Sequence, residues 1–181
     1  NEAQALISKV KRELDALDVE SDGKGWRGKA YLYCLEVKCP TSGWMVPLIS
    51  SRVICKNKRV IIELLPNKSN KRYDISVVEG ATDEQLADAV PGTYSDETVT
   101  HRVGGSIHAN KMSSIRGDYV ESVDGKKITR NRLRPWNVTD VIFSENDVFQ
   151  ERLFAVLWIK EDGSKRPPME YRTVTQADLQ R

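Results

Sequence analysis

The chain has 181 residues, 39% of them hydrophobic and 30% charged, a balance that supports one domain with a real core or two small lobes. It excludes a membrane span, because no apolar run approaches the roughly 18 residues a spanning helix needs. With 28 basic against 26 acidic residues the net charge is only +2, so attraction to nucleic acid has to come from local clusters rather than the bulk field.

In chain order, Leu6, Ile7, Val10, Leu14 and Leu17 recur at spacings of three and four, which predicts a helix with one apolar face, stopped by "ESDGKG". Lys29 to Val37 favours an extended strand, and "MVPLIS", "KRVIIELLP" and "KRYDISVVEG" follow with turn-rich separators, Pro66 to Asn70 being the clearest hairpin loop. Thr82 with Gln85 is a capping-box pattern for a short helix that Pro91-Gly92 ends. The stretch "TVTHRVGGSIHANKMSSIRGDY" is interrupted by glycines and carries no clear period. Beyond a basic segment, "GKKITRNRLRPW", an apolar run ends at Ile159, Asp162-Gly163 supplies a turn, and Met169 to Val174 can pair back. "TQADLQR" reads as the opening turn of a helix capped by Thr175. Residues 1–24 are thus expected to form a helix and linker and residues 25–181 a β-rich domain. The fold class is α+β, mainly an antiparallel β meander with a few flanking helices.

The stretch "YLYCLEVKCPTSGW" delivers Cys39-Pro40 into a tight turn ending at Gly43 and Trp44. This is the outline of a zinc knuckle, in which a second cysteine belongs where Ser42 stands. Structural zinc needs four thiolate or imidazole ligands, typically from two Cys-x-x-Cys turns. The second candidate turn, "HRVGG", reads as a matching half and offers His101 followed by Gly104. Cys39 and His101 cannot close a site by themselves, and Cys34, Cys55 and His108 lack knuckle spacing, so no bound metal is expected. The plainer reading makes Cys39 and Cys55 small buried apolar residues, with the turns held by hydrogen bonds under Trp44. The odd count of three cysteines speaks against a disulfide framework and for a reducing cytoplasm.

No catalytic residue is expected. The chain has no Gly-x-Gly-x-x-Gly, Walker loop or nucleophile elbow. His101 and His108 read as side chains of a solvated glycine-rich loop, and Asp74, Glu79 and Asp118 are scattered. The best functional lead is basic: Lys126, Lys127, Arg130, Arg132 and Arg134 fall within nine positions and run into Trp136. Such a cluster can contact phosphates while the ring stacks on a base or packs below, or it can be a solvated loop. Smaller groups sit at Lys56, Lys58 and Arg59 and at Lys68, Lys71 and Arg72.

Taken together, "GWRGKAYLYCLEVKCPTSGWMVPL", "KRYDISVVEGATDEQLADAVPGTYSDETVTH", "SIRGDY" and "DVFQERLFAVLWI" resemble the middle segment of adenine-specific DNA methylases with an embedded zinc ribbon, whose N-terminal domain is a domain of unknown function. The likeness runs colinearly from about Gly25 onward. It implies a degenerate zinc-ribbon-like element, with the family's first Cys-x-x-Cys at Cys39 and Ser42 and its second at His101 and Gly104. In such enzymes this segment is an insert between the glycine-rich S-adenosylmethionine-binding part and the Asp/Asn-Pro-Pro-Tyr tetrapeptide. Neither is present, since the only Pro-Pro, Pro167-Pro168, is followed by Met169.

The resemblance therefore implies a non-catalytic, cytoplasmic insert of a larger restriction-modification or phage-defence methyltransferase. S-adenosylmethionine would be bound by the parent chain, and no cofactor by this one. The implied partners are double-stranded DNA and the rest of the methylase chain, with no membrane. An adenine methylase has to hold the duplex while it extrudes the base, and a β-rich insert is a source of grip or target recognition. The alternative is a protein-interaction or scaffolding module that braces the methylase or docks a partner subunit.

Overall fold

The periodicities recur as elements in the computed structural model, which describes residues 2–17 and 20–179. The helix α1 spans Glu2–Leu17, and the apolar stripe of Leu6, Ile7, Val10, Leu14 and Leu17 is exposed. The chain divides into two units, Asn1–Leu32 with Leu153–Arg181, and Tyr33–Arg152. Among the described residues no helix is long and apolar enough to cross a membrane.

Strand β1 (Trp26–Lys38) begins in the first unit and ends in the second. In the second unit it is followed by β2 (Met45–Leu48), β3 (Val53–Cys55), β4 (Val60–Asn67) and β5 (Arg72–Val78). The order β1-β2-β5-β4-β3 is mostly antiparallel, with β1 meeting β2 from Leu35↔Leu48 to Lys38↔Met45 and β4 meeting β5 from Ile61↔Val78 to Asn67↔Arg72. One parallel contact, Met45↔Arg72, places β2 beside β5 rather than β3. Next comes α2 (Asp83–Ala89), where the capping box forms as expected: Gln85 N–H donates to Thr82 Oγ1 at 3.2 Å and Thr82 N–H to Gln85 Oε1 at 2.9 Å.

In and around the stretch without a readable period lie β6 (Tyr94–Ser95), β7 (Thr98–Val103), β8 (Ser106–Lys111), a short α3 (Met112–Arg116), β9 (Tyr119–Val123) and β10 (Lys126–Arg130). The first three strands form one small antiparallel sheet and the last two a separate ribbon. Gly104 (φ +58°) and Gly105 (φ +82°) close the β7–β8 hairpin between paired Val103 and Ser106, a two-residue turn that requires positive φ at both positions.

The core of this unit gathers Val37, Cys39, Trp44, Val46, Tyr73, Val99, Met112 and Ile115. Within the unit, fully buried Glu36 forms ion pairs with Arg72 and, at 2.6 Å, with Arg152, whose guanidinium also donates to the Tyr73 carbonyl at 2.6 Å. A carboxylate removed from water needs such partners, because an unpaired buried charge is strongly destabilising.

In the other unit, the C-terminal part of β11 (Phe149–Lys160) pairs with β12 (Met169–Thr173) from Ala155↔Thr173 to Ile159↔Met169, the return expected after Ile159. There the Arg172 guanidinium lies 4.7 Å from the Trp26 ring and 5.1 Å from the Trp158 ring and bonds Asp22 at 2.7 Å, a cation–π arrangement closed by a carboxylate. Thr175 Oγ1 donates to Asp178 at 2.6 Å in a turn over residues 176–179; the rest of the expected C-terminal helix, residues 180 and 181, lies outside the described residues.

Candidate functional site

Two groups of residues stand out, both in the unit Tyr33–Arg152. The first is the knuckle. Leaving β1, the chain turns so that Gly43 N–H donates to the Cys39 carbonyl at 2.8 Å and Cys39 N–H to the Trp44 carbonyl at 2.7 Å. Ser42 Oγ accepts from Trp44 N–H at 3.2 Å and lies 3.0 Å from His101 Nε2. The other imidazole nitrogen, Nδ1, is 2.9 Å from the Tyr73 hydroxyl, which donates to the Arg102 carbonyl at 2.7 Å. Because that hydroxyl proton is committed to a carbonyl, the Nδ1 contact is His101 Nδ1–H donating to Tyr73. Burial, assisted by His108, holds the His101 pKa below the ordinary histidine value.

A second strand of the network runs beside it. The register His101↔His108 sets the two rings side by side, stacked at 5.2 Å and 27°. His108 Nδ1 is 3.2 Å from Thr41 Oγ1, and Thr41 Oγ1 is 3.3 Å from Cys39 Sγ. Asn110 Nδ2 donates to both Cys39 Sγ at 3.2 Å and Thr41 Oγ1 at 3.1 Å. Burial opposes ionisation of the Cys39 thiol, but hydrogen bonds from Ser42 and Thr41 outweigh it and hold the pKa below the ordinary cysteine value. Cys34 behaves oppositely, its thiol pushed up to about 12 by burial and then by Glu36.

Of the positions expected to match metal ligands, Ser42 on the Cys39 turn meets His101 directly, although the two are 59 positions apart. Both nitrogens of His101 are occupied, and Gly104, the fourth position, serves the β7–β8 turn and has no side chain to offer. These donors do not form a tetrahedral zinc set. Among the described residues no group of three His, Cys, Asp or Glu is placed to hold a metal ion.

The order Ser42–His101–Tyr73 has the connectivity of a hydrolytic triad, yet its last member is a neutral phenol donating to a backbone carbonyl, so it offers an imidazolium no charge. The chain of bonds fixes a turn. His101, expected on a solvated loop, is instead 5% exposed on β7, and Tyr73, which bonds its Nδ1, carried no signal of its own in the sequence. Tyr73, Thr93, Thr100, His101 and Arg102 also border a cavity of about 550 Å3.

The second group is the ribbon β9–β10, paired from Tyr119↔Arg130 to Val123↔Lys126 and closed by Asp124 (φ +49°) and Gly125 (φ +75°). All five residues of β10 and four of the five in β9 are exposed. Lys126 and Lys127 open β10, and neither has a side-chain partner among the described residues. The arginines of the basic cluster are engaged. Arg130 pairs with Glu121, and Arg132 stands 6.0 Å from the Tyr119 ring centroid.

Arg134 lies in the loop beyond the ribbon, where it forks onto Asp147 at 2.8 Å and reaches Asp140 at 2.5 Å. That guanidinium, with the Ser144 N–H, holds the Asp147 carboxyl at about 2. Trp136 is half-exposed and meets the Phe143 ring edge-on at 5.0 Å. The structure thus brings Lys126, Lys127 and Arg130 together on the ribbon, sets Arg132 against its Tyr119, and assigns Arg134 and Trp136 to a loop that displays Val138, Val141 and Ile142 to solvent. Of the smaller basic groups, Arg59 pairs with Asp83 at 2.8 Å and Arg72 with Glu36.

Comparison with protein-family models, with curated proteins and with solved structures finds no match.

Proposed function

We propose that this chain is a non-catalytic DNA-gripping insert of an S-adenosylmethionine-dependent adenine methylase, a ribbon-like module that holds no metal of its own. The observation that carries the DNA reading is the β9–β10 ribbon, an exposed strand pair whose two lysines at the turn have no partner among the described residues. Unpaired ammonium groups are free to replace the counterions condensed on phosphates. The methylase parent is supported by the colinear sequence blocks and by the meeting of Ser42 and His101, 59 positions apart, at 3.0 Å. In this reading hydrogen bonds do the work of the lost ion: they tie the Cys39 turn to β7 and β8.

The test is fluorescence anisotropy of a labelled duplex between 50 and 200 mM salt. Affinity falls with salt at a logarithmic slope of about 0.9 per phosphate neutralised, so Lys126→Ala with Lys127→Ala weakens binding and lowers the slope by about 0.9 for each of the two that contacts a phosphate. Wild-type binding that ignores salt, or a double variant identical to wild type, overturns the reading.

A second reading has one observation in its favour. Val138, Val141 and Ile142 are 105%, 87% and 73% exposed on the loop that Arg134 pins, and apolar side chains displayed together in this way suit a protein partner. In the scaffolding alternative this loop docks the rest of the methylase or a second subunit.

A further inference from the structure

Cross-strand partners in an antiparallel pair share a face, so the ribbon has two. Tyr119, Glu121, Val123, Lys126, Ile128 and Arg130 make one face, and Val120, Ser122, Lys127 and Thr129 make the other. They differ in freedom. The first is engaged with itself, through Arg130 on Glu121 and Arg132 over Tyr119. The second carries two hydroxyls, one ammonium and one branched apolar side chain, all exposed and none bonded to any described residue.

We propose that this second face is a base-reading surface that enters the major groove of duplex DNA, with Ser122 and Lys127 leading. The inference rests on the DNA-gripping reading above and sharpens it to a groove and a face. Size favours the major groove: strands of five residues at ~3.3 Å per residue are about 17 Å long. A two-stranded ribbon fits a groove about 12 Å wide and not one about 6 Å wide.

Chemistry favours base edges. An ammonium donates to guanine O6 and N7, hydroxyls donate or accept, and a valine suits the thymine methyl. Charge agrees as well. The face has no carboxylate, Glu121 lies on the opposite face and is neutralised by Arg130, and Lys126 on that opposite face is left for a phosphate. An isolated two-stranded hairpin is marginal in water, and this one is braced at its base by the Arg116–Asp118 pair at 2.7 Å and by Arg132 N–H donating to the Arg116 carbonyl at 3.0 Å. The reading face can therefore stay bare without loss of the ribbon.

The experiment uses the full chain and one mixed-sequence duplex in three forms: unmodified, with bulky glucosylated 5-hydroxymethylcytosines filling the major groove, and carrying a minor-groove ligand of the netropsin type. A variant with Ser122→Ala, Lys127→Ala and Thr129→Ala, checked for an unchanged thermal melt, is measured beside wild type. Filling the major groove is expected to weaken wild-type binding about tenfold or more, on the scale of losing a base contact or two. The minor-groove ligand should leave it within about twofold. The variant should bind the unmodified duplex weakly and lose its sensitivity to the filled groove.

If wild type binds the filled and open duplexes equally, with its salt slope intact, the DNA reading stands and the groove assignment falls. Absence of salt-sensitive binding to every form overturns both.

Discussion

The knuckle and the ribbon belong to the same unit and treat polar side chains in opposite ways. Around Cys39 and His101 every polar atom described above has a partner, and Trp44 and Tyr73 pack against the network with ring centroids 5.4 Å apart. On β10 the lysines have none. Burying a polar group without a partner costs free energy, whereas exposing one to water does not. The satisfied region therefore has its consequences in stability, and the unsatisfied one has its consequences in binding. Substitutions should separate along that line.

Trp44→Ala should show the largest stability loss, about 3–5 kcal/mol for a buried tryptophan, measured by urea denaturation, with no change in DNA affinity per folded molecule. A loss below about 1 kcal/mol would mean the ring does not cover the turn. Glu36→Ala follows at about 3 kcal/mol, because it removes the carboxylate that pairs two guanidiniums. Here again the duplex affinity should hold.

The third prediction concerns pH. His101 in the folded protein has a pKa below the unfolded value of about 6.5, so on acidification the unfolded chain takes up a proton before the native state does. Stability is then fully present above pH 7 and declines as pH falls through about 6.5, with a limiting slope of about 1.4 kcal/mol per pH unit until the folded ring also protonates. His101→Gln, which keeps a hydrogen-bonding side chain, should flatten that decline. An unaltered pH profile in the variant would remove His101 from the account. The smallest stability effect belongs to Lys126→Ala with Lys127→Ala, within about 0.5 kcal/mol as for exposed substitutions generally, although it carries the largest expected effect on the salt slope.

The same division explains what the sequence disclosed. Strands β1, β4 and β5 were readable because their apolar runs are bounded by turn residues, and α2 because Thr82 and Gln85 satisfy each other locally. The region from β7 to β10 was not. Its strands are short, several face solvent on both sides, and the two-residue turns at Gly104-Gly105 and Asp124-Gly125 leave no long period to detect. The burial of His101 depends on Tyr73, 28 positions earlier, and a histidine set among glycines reads as a loop until that contact is known. The basic run was plain in the sequence, but the carboxylates that occupy Arg130 and Arg134 are Glu121, Asp140 and Asp147. All three lie outside the run, so composition did not reveal which cations remain free.

The most direct test of the division is an amide chemical-shift titration of the isotopically labelled chain with a short duplex at low salt. Perturbations concentrated between Tyr119 and Arg130, with the turn at Cys39 to Trp44 and the strand around His101 unchanged, are the predicted result. Shifts centred on the knuckle, or none on the ribbon at saturating duplex, would contradict the assignment of DNA binding to β9 and β10.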